Sequence, residues 1–379
     1  MKKECFCVLT ALFIFPVSAM AEGELGLGVQ GDVWNSNYVQ PANGFDILVP
    51  LSLSYKVSPV VNLYGQTEFA SGSYTDSSTV PGTETINLNN ISDTVLGGEV
   101  HFKSGSLPSI MNIGINLPTG DPTWETKEIA SSIPTEFVDS RYRGRGLGLS
   151  VLYGISLPEG KGEYGVAGGF LYSGAFNPSY GLTAGPSNAL NLGDAVFLAL
   201  NHVQPHSEDE NEIIRLSIYQ SFPSAQNGQN VFELGTNFNA SYNWSNPNAF
   251  SFEVGAQVYL PSERVNGLGY LVKESSNSYA PRFYVTPSYA FGDFVLETQA
   301  KYIMQNDYSP GGQYYDGGGW LLSVTPSYRF KLDADTSFKL LASFTDVYAL
   351  NLGTANGNAN AANVNFNLWT ISTSYEMKL

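Results

Sequence analysis

The chain carries three histidines, His101, His202 and His206. His202 and His206 flank a segment that also holds Glu208, Asp209 and Glu210, and imidazole with carboxylates is a donor set that suits a metal ion. The same residues in a wet, polar turn read better as a solvated acidic patch, so no metal ligands are assigned and no cofactor is expected. His101 stands two residues from Glu99, on the same face of an extended segment. A hydrolytic site needs a nucleophile beside a positioned base, and the spacing here supplies only the pair. No catalytic residue is assigned, and the chain is not read as an enzyme.

The remaining charged side chains fall at every second position of extended segments. On that parity Asp46, Glu68, Asp93, Glu99, Glu233, Glu253 and Glu297 share the polar face with Arg215, Arg282, Lys301, Arg329 and Lys339. Opposite charges around a pore make a transverse field that selects solutes; taken singly, each is also readable as a hydrated wall residue. Arg141, Arg143 and Arg145 alternate separately. Strict parity turns them outward, where they would meet lipopolysaccharide phosphates. A bulge at Gly144 or Gly146 would turn them into the pore mouth instead.

Strands must position these groups. From Phe232 to Trp244 every second residue is apolar or small (Leu234, Thr236, Phe238, Ala240, Tyr242), and the intervening ones are polar or glycine. After Ser245 to Asn248 the pattern restarts at Phe250 and runs to Leu260. Side chains alternate across a strand, so this is a hairpin with one oily and one wet face. It is longer than the usual strand of about 5–6 residues and fits the roughly 9–11 residues that cross a bilayer. The same alternation recurs along the chain and predicts an all-β, transmembrane, antiparallel up-and-down barrel of about 16 strands, with 14 to 18 allowed.

The N-terminus reads as a secretory signal over residues 1–21. Lys2 and Lys3 precede an apolar run from Val8 to Val17 and the small-x-small site Ala19-Met20-Ala21. The barrel then occupies residues 22–379. Cys5 and Cys7 leave with the signal, so no disulfide is expected. Loss of Lys2, Lys3 and Glu4 takes the formal charge from −16 to −17, which disfavours nucleic acid. No apolar run long enough for a spanning helix follows the signal, and a closed sheet is the remaining structure that satisfies every backbone group in lipid.

The connections alternate in length. Short turns after even-numbered strands (Val57 to Pro59, Lys103 to Leu107, Pro158 to Gly162, Gly292-Asp293) suit the periplasmic end. Long, Gly- and Asn-rich segments after odd-numbered strands (Ser71 to Asn90, Pro118 to Tyr142, Ser173 to Asn188, Pro261 to Tyr279, Gln305 to Gly318, Leu350 to Asn363) suit the extracellular end. The Pro118 to Tyr142 segment, with Asp121, Trp124, Glu125 and Glu128, reads equally as an infolded constriction or as a surface loop. Thr286-Pro287-Ser288-Tyr289-Ala290-Phe291 recurs as Thr325-Pro326-Ser327-Tyr328-Arg329-Phe330. A proline there removes a ladder donor and predicts a local bulge, with the Tyr and Phe in an interfacial girdle; chance similarity is the alternative.

Ser92 to Glu99 (SDTVLGGE), Ile115 to Asp121 (INLPTGD), Leu192-Gly193-Asp194 and the two T-P-S-Y-x-F ends occur in an order that resembles the outer-membrane transporter-like family named for meta-pathway phenol degradation, distant relatives of the long-chain fatty-acid channels. The likeness runs from about Ser92 to the C-terminus. It implies passage of small, hydrophobic or aromatic compounds. The chain departs from the fatty-acid channels in having no N-terminal hatch, and it ends in Leu379 where many barrels end in an aromatic. The expected function is a passive outer-membrane pore for small solutes. The alternatives are a barrel sheath around a protein partner and, less favoured, an outer-membrane hydrolase working through His101. Expected partners are outer-membrane lipid and lipopolysaccharide, the solute, the barrel assembly machinery, and a homo-oligomer or lumen protein.

Overall fold

The computed structural model describes residues 23–36, 42–76, 84–121, 144, 146–176, 190–191, 193–207, 210–222, 224–226, 229–232, 235–246, 248–261, 264–265, 271–272, 280–308, 314–350 and 364–378. The signal segment and Arg141, Arg143, Arg145, Glu208, Asp209 and Glu233 lie outside them. So do Trp124, Glu125 and Glu128.

Among the described residues, sixteen barrel strands follow one another in chain order: β1 (Gly23–Ser36), β2 (Ala42–Ser58), β3 (Val61–Asp76), β4 (in two segments, Glu84–Ile91 and Thr94–Ser104), β5 (Leu107–Leu117), β6 (Gly148–Glu159), β7 (Gly162–Ser173), β8 (Ala195–Pro205), β9 (Asn211–Ser221), β10 (Gly235–Ser245), β11 (Phe250–Pro261), β12 (Ala280–Phe291), β13 (Phe294–Tyr308), β14 (Tyr314–Lys331), β15 (Thr336–Leu350) and β16 (Val364–Lys378). Each pairs antiparallel with its neighbours in sequence. β1 then pairs with β16 from Glu24 opposite Lys378 to Ser36 opposite Phe366. That pairing removes both sheet edges, the condition a sheet must meet in hydrocarbon. The fold is the up-and-down barrel that the alternation predicts.

Parity sorts the two faces. Leu27, Val29 and Val33 on β1, Phe238 on β10, Leu322 and Val324 on β14, and Ile371 on β16 are exposed on the outer wall. Asp32, Asp46, Arg215 and Glu253 occupy the alternate, inward positions. Two-residue turns join β4 to β5, β6 to β7 and β12 to β13. Gly105, Gly160 and Gly292 supply the positive φ those turns need (66°, 60° and 60°).

The wall is uneven in height. β13 to β16 and β1 to β3 have 14 to 18 residues, whereas β5 to β12 have 11 or 12. Three sequence expectations are corrected here. The Ser71 to Asn90 segment is largely strand, because β3 continues to Asp76 and pairs with Glu84–Ile91. The Gln305 to Gly318 segment is largely strand as well. Gln229–Phe232 does not belong to β10; it pairs with Ser224–Gln226 and Arg264 in a small separate sheet with Leu190–Asn191 and Leu271–Val272. Alternation persists through Phe232, but the backbone has left the barrel.

The repeated T-P-S-Y-x-F ends carry no bulge. Val285 pairs with Ala300 and Ser288 with Glu297, so the register is the same on both sides of Pro287. Val324 opposite Phe344 and Ser327 opposite Leu341 show the same at Pro326. Each proline interrupts pairing on one side only, which is what a missing N–H does. Tyr289 and Phe291 pack at 4.2 Å and Tyr328 and Phe330 at 4.5 Å, with interplanar angles of 59° and 57°. All four are exposed on the outer wall near the short turns, in the interfacial girdle the sequence suggests.

Inside, aromatic rings lie flat over glycines. A Cβ on Gly97 would meet the Tyr64 ring at 2.3 Å, one on Gly169 the Phe197 ring at 2.3 Å, and one on Gly255 the Tyr284 ring at 2.3 Å. The glycines let large side chains hug the wall instead of crossing the bore. Gly97→Leu is expected to expel Tyr64, break its hydrogen bond to Asn112 and cost about 1–3 kcal/mol. A lowered urea midpoint of the folded band in heat-modifiability gels, with Gly168→Ala as the unaffected control, checks this.

Candidate functional site

The site is the inner wall, and its charges are unevenly spread: β12 to β15 hold an excess of cations with Glu297 among them, and β1 to β4 an excess of carboxylates with Lys56 and Lys103 among them. Arg282, Lys301, Arg329 and Lys339 project inward from β12 to β15. Asp32, Asp46, Glu68, Asp93 and Glu99 project inward from β1 to β4. The sign of the wall therefore changes around the barrel, which sets a field across the lumen. Arg329 and Lys339 are direct cross-strand partners, and so are Asp32 and Asp46. Like charges placed opposite one another cost stability. Asp32 is offset by Gln30, whose Nε2 donates to both carboxylate oxygens at 2.8 Å, and by the Thr370 hydroxyl at 2.6 Å.

Between these arcs, Glu253 on β11 accepts from the Tyr284 hydroxyl at 2.7 Å and lies 3.8 Å from the Arg215 guanidinium on β9. Two predicted wall residues are thus brought together, with a tyrosine the sequence reading did not single out. Glu297 sits opposite Ser288 and Thr325, and Arg282 opposite Gln257 and Ile303. The Arg282 Nε is buried and makes no hydrogen bond among the described residues. Glu99 hydrogen-bonds the His101 ring on the inner face. His206 meets Glu212 at 2.8 Å beside the Trp244 ring, and His202 stacks on Tyr164 at 4.4 Å. The two turn histidines therefore engage separate partners and do not converge.

The inner wall is not uniformly wet. Trp34, Leu48, Ile303, Leu321, Val347 and Phe366 all point inward, yet are only 0–4% exposed. They come from the tall wall, β13 to β2. Val347 is the cross-strand partner of both Leu321 and Phe366, and Trp34 stacks on Phe366 at 6.2 Å. Burying each such side chain contributes about 1.5–3 kcal/mol. The alternation of oily and polar residues does not extend to this level, where both faces of β13 to β2 carry apolar side chains.

The sequence motifs resolve into anchors. Phe69 pairs with Ile91 and Gln66 with Val95, so Ser92, Asp93 and Thr94 face only Thr67 and Glu68 and form a bulge. The bulge turns Asp93 toward the segment that follows β5. Its carboxylate accepts from Asn116 Nδ2 at 2.6 Å and the Gly120 N–H at 2.9 Å. The Thr119 hydroxyl donates to the Ser92 carbonyl at 2.8 Å. Asp194 likewise accepts from the Ser173 N–H at 3.1 Å, while its carbonyl takes the Phe222 N–H at 2.7 Å. Gly193 beside it has φ of 83°.

At the short-turn end, a cavity of about 500 Å³ opens inside the tall wall, lined by Glu24, Tyr64, Arg329, Lys331, Glu376 and Lys378 among others. In the turn at its rim, the Asp335 N–H donates to Asp333, with the Thr336 hydroxyl adding to it, and holds that carboxyl below its ordinary range. This turn contact is intact above the usual carboxylate range and is lost as pH falls through the lowered value.

No family profile matches the chain, and no curated protein matches it. Solved structures do share its fold. The Pseudomonas aeruginosa OccK7 (OpdD) structure aligns with a TM-score of 0.50 at 11% identity, over 96% of this chain and 100% of that one. Acinetobacter baumannii OccAB4 gives 0.50 at 10% identity, over 94% and 98%. A BenF-like porin from Pseudomonas fluorescens Pf-5 gives 0.50 at 12%, over 95% and 99%. The chain therefore shares with these structures the closed sixteen-strand antiparallel barrel. At this identity the likeness is one of fold.

Asp93→Ala removes the acceptor for two donors. It is expected to cost about 1–3 kcal/mol and to speed hydrogen exchange at the Gly120 amide, with exchange in β9 to β12 unchanged. Residue-resolved exchange of the folded barrel checks this.

Proposed function

We propose that the protein is a passive pore of the outer membrane for small solutes. The observation that carries the reading is the pairing of an apolar outer belt with a charged inner wall in a closed barrel of sixteen strands. Such a barrel is wide enough for an aqueous path. The apolar belt demands lipid outside, and the charged face demands water inside. The fold shared with OccK7, OccAB4 and the BenF-like porin supports the same reading. Residues 1–21 are the export signal in this proposal, and the outward Tyr375 and Met377 of β16 are the end recognised by the barrel assembly machinery.

The solute class belongs to the proposal as well. The meta-pathway resemblance implies hydrophobic or aromatic compounds. On the wall, Arg282 and Lys301 are the inward cations that an acidic group would meet, while their cross-strand neighbours Ile303 and Leu321 are packed away from the lumen.

Purified protein in planar bilayers is expected to give discrete conductance steps. Arg282→Gln should shift ion selectivity toward cations and Glu297→Gln toward anions, each by a measurable change in reversal potential under a salt gradient. Silence at all voltages would overturn the pore. Co-purification of a stoichiometric protein in the lumen would replace it with the sheath reading.

A further inference from the structure

The outer wall carries a row of polar side chains that the pore does not use. Asp346, Asn367, Asn35 and Asn43 are consecutive cross-strand partners on β15, β16, β1 and β2. Each lies two residues beyond an outward apolar side chain, respectively Phe344, Trp369, Val33 and Phe45, so all four face outward at the upper edge of the apolar belt. Neighbouring strands are about 4.8 Å apart, which makes the row about 14 Å long. Among the described residues, none of the four side chains is held by a protein hydrogen bond or ion pair.

Two exposed indoles border the row, Trp369 below it and Trp320 on β14 beyond it, opposite Tyr348. Trp369 is 58% and Trp320 53% exposed, and each is braced by a second ring, Phe344 and Tyr302, at 4.3 Å. The cations of this wall, Lys301, Arg329 and Lys339, all have inward parity. Among the described residues of this wall, a phosphate would find no outward cation. A saccharide would find several partners. A carboxamide offers two donors and an acceptor, a carboxylate accepts from paired hydroxyls, and a braced indole presents a flat apolar face to the C–H side of a sugar ring.

We propose that this row binds the saccharide headgroup of an outer-leaflet glycolipid. The sugar meets Asn35, Asn43, Asn367 and Asp346, and the acyl chains run down the belt below Trp369. Lipid is the source the position favours, because on β16, β1 and β2 the row begins where the outward apolar residues end, and on β15 the amphipathic Tyr348 lies beyond it. The inference rests on the outer-membrane reading above.

The test uses the full barrel in nanodiscs of phosphatidylethanolamine and phosphatidylglycerol, with and without a lipooligosaccharide, and counts retained lipid by native mass spectrometry. The wild type should retain the glycolipid in preference to either phospholipid, and a dephosphorylated glycolipid equally well. Asn35→Leu with Asn367→Leu lengthens the belt on a strand pair that stays hydrogen-bonded. It should cut retention about tenfold and leave conductance unchanged. Trp369→Ala should cut it as well. Equal retention of all lipids, retention that disappears with the phosphates, or a variant that changes only the oligomeric state would each overturn the proposal. Recovery of the chain outside the outer-membrane fraction would overturn the location instead, and membrane fractionation reads that separately.

Discussion

Closure of the sheet is the constraint on which the rest depends. In hydrocarbon, an unpaired N–H or C=O costs several kcal/mol, and an open sheet of this size would leave two rows of them. The pairing of β1 with β16 over thirteen residue pairs, from Glu24 to Ser36, removes both rows. Once the sheet is closed, alternation decides everything else. Each inward position becomes pore wall or inner packing, and each outward position becomes lipid contact or headgroup contact. The same constraint explains why Pro287 and Pro326 are tolerated. Each lies near a short turn and breaks the ladder on one side only.

A closed sheet need not be evenly thick. Strands β13 to β3 extend beyond the belt, and they carry the inward apolar arc from Ile303 to Leu48. On β4 to β8 the inner wall is lean: Gly97, Gly114, Gly154, Gly165 and Gly169 face inward there, and rings or amides from neighbouring strands lie over several of them. One wall is thickened by Trp34, Phe366, Leu321 and Val347, while the other is thinned. The cationic and anionic arcs both reach onto the thick wall, with Lys301, Arg329 and Lys339 on β13 to β15 and Asp32 and Asp46 on β1 and β2.

Much of the fold was legible from a single property, the period-two alternation of oily and polar residues, because lipid enforces it strand by strand. It marks fifteen of the sixteen barrel strands; the eighth, from Asp194 to Val203, has an ambiguous parity in the sequence and is Ala195–Pro205 in the structure. It failed where lipid no longer acts. Ser71 to Asp76 and Gln305 to Tyr308 are polar on both faces, so composition reads them as loop, yet backbone pairing continues because a ladder needs no apolar face. It also failed at Phe232, where alternation outlasts the barrel. Glu233 lies outside the described residues, and parity sets the described wall charges on the face opposite the exposed apolar side chains. Their partners were not legible: Tyr284 beside Glu253, or Gln30 and Thr370 around Asp32, depend on cross-strand register, which a strand does not encode by itself.

The motifs that carry the family resemblance are informative for a different reason. Ser92-Asp93-Thr94 and Leu117 to Asp121 are far apart in the chain, yet they form one hydrogen-bonded unit. Asp93 holds the Gly120 N–H, Thr119 holds Ser92, and Asn116 links Asp93 to the Gly146 carbonyl at 2.7 Å. Asp194 with Gly193 does the same work between β7 and β8. These residues fix the places where long connections leave the rim. Any barrel that must launch a loop inward or outward at those points has use for them, whatever crosses its lumen. In the pore proposed above, the side chains that face a solute are Arg282, Lys301, Glu297 and the Glu253–Arg215–Tyr284 group. They lie on uninterrupted strands with no bulge or turn to mark them, and they belong to no local pattern. Motif likeness therefore reports on the scaffold, and discrimination among solutes must be sought in inward positions that register alone brings together.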